Sequence, residues 1–330
     1  MKMKNLIISL GLALSTTAFL PAVQAMPNFS SDQTAPGNMR FSWIHGSLSA
    51  KHNTDLRIQV HQYNQHTFIL RQNPAIHWEA PFMYLIFGEK QVVLLDSGAT
   101  AESEYFPIRE TVEDVIERWE HVNQKSDMPL VVLPLGSDLS QTEGLGQFKD
   151  RPNTTILSAT ETDRYKLLGD SETTTLDLGG RELTLLTTPG IDEFAVTAYD
   201  PWTDLLFTGN TFYSGRLVIR DFAAYKTSLK RLLAFTAEQP VQWVMGGRIE
   251  MSDYAGVDYR LRSNFRPREH ALQLPGEMLA ECYDIVHLIN GAEDIRIHDD
   301  FIVMNGVGRG ARDHGWPTYT PERFRRVRLR

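Results

Sequence analysis

The chain has 330 residues, 42% of them hydrophobic, with 33 Lys and Arg against 41 Asp and Glu and a formal net charge of −8. An acidic chain gains nothing from the electrostatic term that draws proteins to nucleic acid, which argues against a nucleic-acid partner. One cysteine, Cys282, excludes an intramolecular disulfide.

Lys2 and Lys4 form a basic start, an apolar stretch runs from Leu6 to Leu20, and Val23 and Ala25 stand where a small-residue cleavage site needs them. That order is the build of a secretory signal peptide, so residues 1–25 are expected to be removed after Ala25 and the mature chain to be periplasmic or secreted. The stretch is short and interrupted by Ser15, Thr16 and Thr17, which fits poorly with a membrane anchor. Cleavage takes two lysines and no acids, so the charge moves from −8 to −10. The remaining length suits a single layered α/β domain.

Residues 26–53 are expected to form an irregular arm, being rich in Ser, Asn, Gly and Pro in their first half. From Leu56 to His61 apolar and polar residues alternate, the pattern of a half-buried strand, and a turn over Asn64 and Gln65 leads to a second strand at 67–70. Strands at 82–87 and 91–95 follow, joined by Gly88, Glu89 and Lys90. The period then changes: Val112, Val115, Ile116, Trp119 and Val122 fall on one face of a helix. The continuous apolar run 130–135 reads as a buried strand.

Further along, 183–186, 194–199 and 205–207 read as strands, with a turn over 200–204. A helix is predicted over 221–237, a strand over 241–245, a helix from near Pro275, and strands over 295–297 and 301–304. Hairpins followed by alternating strands and helices imply a mixed α/β fold. Cys282 has apolar neighbours at helical spacing and reads as a packing residue.

Five stretches end predicted strands with chemistry-bearing residues. They are Tyr84-Leu85-Ile86-Phe87 with Val92 to Leu95 and Asp96-Ser97-Gly98; Leu130 to Leu133 with Gly144 and Phe148 beyond; Thr187-Thr188-Pro189-Gly190; Leu206-Phe207-Thr208-Gly209-Asn210; and Val244-Met245-Gly246-Gly247-Arg248. In this order they resemble the metallo-β-lactamase superfamily over residues 54–306, and within it glyoxalase-II-like hydrolases, leaving 307–330 as a basic C-terminal tail. The resemblance implies a four-layer αβ/βα sandwich. It also implies two zinc ions held by a His-x-His-x-Asp-His loop and three later ligands.

With Gly144 as the anchor, the positions of those ligands are matched by Gly136, Asp138, Ser140, Gln141, Ile191, Asn210 and Arg248. Zinc needs imidazole, thiolate or carboxylate lone pairs in near-tetrahedral geometry. Only Asp138 supplies an anionic oxygen, Ile191 supplies nothing, and Arg248 brings a permanent positive charge. None of the ten histidines falls in these loops, so neither zinc nor another cofactor is expected.

The resemblance therefore implies a scaffold whose cleft has lost its metals, lined by these residues with Asp96 and Tyr213 beside them. Such a pseudoenzyme would bind a small polar or anionic molecule. The alternatives are a metal-independent hydrolase using Asp138 as base and Arg248 as oxyanion stabiliser, or a zinc hydrolase with a relocated site. The last residues, Arg323 to Arg330, interleave basic and apolar side chains and could meet an acidic partner or lipid headgroups.

Overall fold

The computed structural model describes residues 27–29, 34–169, 171–312 and 324–326. The expected signal peptide lies outside the described residues. Among the described residues no helix is long and apolar enough to cross a membrane.

Strands β1 (Ile58–Asn64), β2 (Thr67–Gln72), β3 (Phe82–Phe87) and β4 (Val92–Leu95) form an antiparallel run. Helix α1 (Ile108–Asn123) then carries the chain over to β5 (Leu130–Leu133), parallel to β4. A single helical turn, α2 (Leu139–Thr142), precedes β6 (Thr154–Ile156), which completes a six-stranded sheet in sequence order. Helix α3 (Glu161–Leu168) leads to the meander β7 (Thr173–Asp177), β8 (Glu182–Thr187), β9 (Val196–Asp200) and β10 (Leu205–Gly209). After β11 (Arg216–Ile219), helix α4 (Phe222–Glu238) crosses back to β12 (Trp243–Gly246), which pairs parallel with β10. Strand β13 (Gln273–Leu274) then closes a second six-stranded sheet, ordered β13-β12-β10-β9-β8-β7.

Helix α5 (Met278–Ile289), β14 (Asp294–Ile297), β15 (Ile302–Asn305) and β16 (Phe324–Arg326) end the chain. The last strands make a small third sheet, β11-β15-β14-β16. The expected basic tail therefore returns to the body in part, with β16 parallel to β14. Residues 313–323 and 327–330 of that tail lie outside the described residues.

The layers follow from the two-residue period of the strands. In β3, Phe82, Tyr84 and Ile86 face one core while Met83, Leu85 and Phe87 face another. In β10, Leu205 and Phe207 join the first core, and Leu206 points away to a third. The first core lies between the two large sheets. The second is roofed by Val112, Val115, Ile116 and Trp119 of α1. The third is covered by Tyr225, Leu229 and Leu232 of α4 and by Leu279, Cys282, Ile285 and Val286 of α5. The result is a four-layer αβ/βα sandwich, in which β3, β4 and β10 are buried on both faces. Cys282 is fully buried, and burial pushes its thiol up to about 12, which makes it inert near neutral pH.

The start of α4 shows why the chain turns where it does. Asp221 caps α4 by accepting from the Ala224 N–H at 2.9 Å. Packed against this start, Gly190 accepts the Asp221 N–H at 2.9 Å and holds φ at +136°, and a Cβ there would lie 2.4 Å from the Tyr225 Cα, so only glycine lets the 187–190 turn dock on this helix.

Candidate functional site

The turns after β4, β5, β8, β10 and β12 meet at one edge of the sandwich, and most residues singled out from the sequence lie in two hydrogen-bonded groups there. The first group is a chain of polar side chains. Asp96, in left-handed backbone at φ +65°, accepts the Leu135 N–H at 2.7 Å, and the Gln141 amide donates to both its oxygens at 3.1 and 3.2 Å. Asn210 Nδ2 donates to Gln141 Oε1 at 3.0 Å and lies 3.5 Å from Ser140 Oγ. Ser140 Oγ in turn donates to Asp138 at 2.7 Å. Asp138 is thereby the N-cap of α2, accepting the Ser140 N–H as well.

The direction of the amides is set by the ionised form of Asp96, which can only accept. Gln141 must turn its NH2 toward Asp96 and its oxygen toward Asn210. Four of the positions matched to metal ligands, Asp138, Ser140, Gln141 and Asn210, are thus hydrogen-bonded to one another. Gly136 fits the same arrangement, since a Cβ there would sit 2.6 Å from Gln141 Oε1. Ile191 stays outside it, half-buried against the core under α4 and α5.

The second group is a ring of charges that includes residues no sequence pattern pointed to. Arg248, 4% exposed, donates to Glu79 Oε1, which also accepts from Arg309 Nη1 at 2.5 Å. Arg309 pairs as well with Glu250, and Glu250 accepts from Tyr213 OH at 3.2 Å. The Arg248 guanidinium lies 5.1 Å from the centre of the Tyr213 ring, which closes the circle. Glu79 comes from the turn between β2 and β3, and Arg309 from the 3-10 turn Arg309–Arg312 beyond the third sheet. Tyr213 was expected beside the cleft from the family resemblance. Glu79, Glu250 and Arg309 carry no motif, and only the folded chain assembles them.

The charges act across the two groups. Burial disfavours the Asp138 anion, but Arg248, the Ser140 hydrogen bonds and Arg309 outweigh it and hold the carboxyl below its usual range. Glu250 is brought down to about 2 against burial by Arg309, Arg248 and Arg216. Burial pushes the pKa of His77, on the turn with Glu79, downward, so its ring is neutral near pH 7, and its Nδ1 faces the Glu79 N–H at 3.4 Å. Tyr213 is pushed up to about 12 by burial.

Asp96 behaves oppositely. Burial raises its carboxyl to about 7, against the Leu135 N–H and the Gln141 amide, which favour the anion. A carboxyl with a raised folded pKa adds no penalty below its ordinary value of 3.8, and the penalty grows from there to about 7 and levels off above it. Asp96→Asn is therefore expected to gain stability relative to the native chain between about pH 5 and about pH 8. Urea unfolding at both pH values checks this, and a difference that does not change with pH would remove Asp96 titration from the account.

Zinc does not fit this donor set. Among the residues matched to zinc ligands, one is a guanidinium, two amides are engaged with each other, and Asp138 alone is an anionic ligand type. Among the described residues, no group of three or more His, Cys, Asp or Glu side chains is placed to hold a metal ion.

No family model matches the chain, and no curated protein is significantly similar to it. Similar solved structures include a metallo-β-lactamase from Pontibacter korlensis, at 14% identity and TM-score 0.47 over 70% of this chain and 99% of that one. The metallo-β-lactamase FIM-1 from Pseudomonas aeruginosa in its mono-zinc form is similar at 12% identity and TM-score 0.45, over 59% and 89% of the two chains. TMB-1 is similar at 11% identity and TM-score 0.47, over 72% and 100%. The layer order itself rests on the packing of this chain.

Proposed function

We propose that this chain is an exported metallo-β-lactamase-fold protein without a di-zinc centre, whose cleft binds a small polar molecule and does not hydrolyse it. The observation that carries this reading is the hydrogen-bonded chain from Asp96 through Gln141, Asn210 and Ser140 to Asp138, in which side chains at positions matched to metal ligands bond to one another. Charge selects between a polar and an anionic ligand. Arg248 and Arg309 already have Glu79 and Glu250 as partners, and Asp138 remains an ionised, half-buried carboxylate. A ligand that donates hydrogen bonds, such as a polyol or an amine, meets that surface better than a second carboxylate does.

The test is zinc content by elemental analysis of the mature chain after exposure to excess Zn²⁺ and desalting. Well under one zinc per chain is expected. One or two firmly held ions would overturn the reading and return the cleft to hydrolysis. Calorimetry with a panel of polyols, amines and carboxylates then asks for the ligand, with Asp138→Asn expected to weaken binding of the best donor by about tenfold, or about 1.4 kcal/mol.

A further inference from the structure

Residues 39–45 of the N-terminal arm pack against the irregular excursion between β12 and β13, and between them lies a cavity of about 470 Å³. The junction is built: Gly46 and Phe265 form an antiparallel bridge, the Arg266 N–H donates to His45 O at 2.7 Å, and the Ser47 N–H donates to Asn264 O at 3.2 Å. One side is apolar, with Met39, Phe41, Trp43 and Leu272. Trp43 stands edge-on to Phe82 at 4.9 Å and Phe41 stacks on His61 at 4.1 Å, so both rings are held in place.

The other side is cationic, in a chain that is acidic as a whole. Arg40, Arg266, Arg268 and His270 line the cavity against two carboxylates, Asp253 and Glu269. Those carboxylates are committed. Asp253 pairs with Arg268 at 2.8 Å, and Glu269 is shared between two buried guanidinium groups, Arg71 at 2.6 Å and Arg266 at 3.2 Å. Arg40 is exposed and has no ion-pair partner among the described residues. His270 places Nδ1 2.9 Å from Ala271 O and Nε2 2.9 Å from Asp300 Oδ1. Both of those atoms only accept, so the ring satisfies them together only as the doubly protonated cation. Burial pushes the Arg266 guanidinium below its usual range, with Glu269 opposing and the Arg71 charge adding to the shift. Glu250 also acts on Arg266 and Asp300 answers His270, so the positive charge at the cavity that a bound anion would neutralise is above all that of Arg40.

We propose that this cavity is a second binding site, separate from the cleft, for a small organic anion with a flat apolar body, of the aryl carboxylate class. The carboxylate answers the excess of cations and the ring answers Phe41 and Trp43. The volume falls in the range of small-molecule sites.

Benzoate is the probe, titrated calorimetrically into the mature chain, with neutral benzamide as its isosteric control. Saturable one-to-one binding is expected, with benzamide weaker by about tenfold or more. The double variant Arg40→Ala/Arg268→Ala removes only exposed charge and is expected to weaken benzoate by a similar factor, with its unfolding midpoint confirming the fold. Asp138→Asn, in the cleft, is expected to leave benzoate binding unchanged. The proposal is overturned by no saturation up to about 10 mM benzoate, by equal affinity for benzamide, or by a benzoate affinity that the double variant leaves unchanged. None of these results touches the zinc measurement, so the two sites stand or fall separately.

Discussion

Arg181→Met is expected to destabilise the fold by about 3–5 kcal/mol, because it leaves a buried carboxylate without its cation. Arg181 and Asp200 are both fully buried. All five guanidinium hydrogens are used: Nε and Nη2 on Asp200 at 3.2 and 2.5 Å, Nη1 on the carbonyls of His66 and Phe87 at 2.9 and 3.0 Å, and Nη2 again on Thr67 Oγ1 at 2.8 Å. The group also lies 4.6 Å from the centre of the Trp202 ring and 5.5 Å from that of Phe29. It therefore pins the β1–β2 turn and the end of β3, in one large sheet, to the β8–β9 hairpin of the other. Methionine fills much of the volume but satisfies none of the acceptors. Urea unfolding at pH 7 measures the loss, and a change below about 1 kcal/mol would mean that water or rearrangement replaces the network.

Arg248→Met and Glu79→Gln are each expected to cost about 2–4 kcal/mol, and the double variant clearly less than their sum. The sequence alone presents Arg248 as a cation free to hold an anionic ligand. In the structure, it donates to Glu79, faces Tyr213 and is almost wholly buried. A coupling of about 1.5 kcal/mol or more between the two sites, from a double-mutant cycle of unfolding free energies, would show that its first role is to neutralise Glu79. Additive losses would free Arg248 to act on a ligand. Because Glu79 also accepts from Arg309, Arg309→Met is expected to cost less than Arg248→Met, its side chain being 22% exposed against 4%.

The apolar pattern was the legible part of the fold. The double-sided burial of 130–133 and the buried face of α1 from Val112 to Trp119 follow from residue type and period, whereas the alternation read over 56–61 does not hold, since Leu56 is 68% exposed and His61 is buried. The short strands β6, β7, β11 and β13 were not legible. Thr173 to Asp177 carries one large apolar residue, and Gln273–Leu274 is two residues long, so their pairing comes from the neighbouring strand and not from local preference. The partial return of the tail as β16 is of the same kind.

For the candidate site, residue identities alone determined that Gly136, Ser140, Gln141, Ile191, Asn210 and Arg248 offer no imidazole, thiolate or carboxylate, the groups that zinc prefers. What they do instead was decided only by tertiary structure. Gln141 meets Asp96 and Asn210 across 45 and 69 positions of chain, and Arg248 meets Glu79 across 169. Periodicity reports which face of an element is buried. It is silent on which partner a polar group finds, because that depends on where distant turns converge and how each buried charge is answered there.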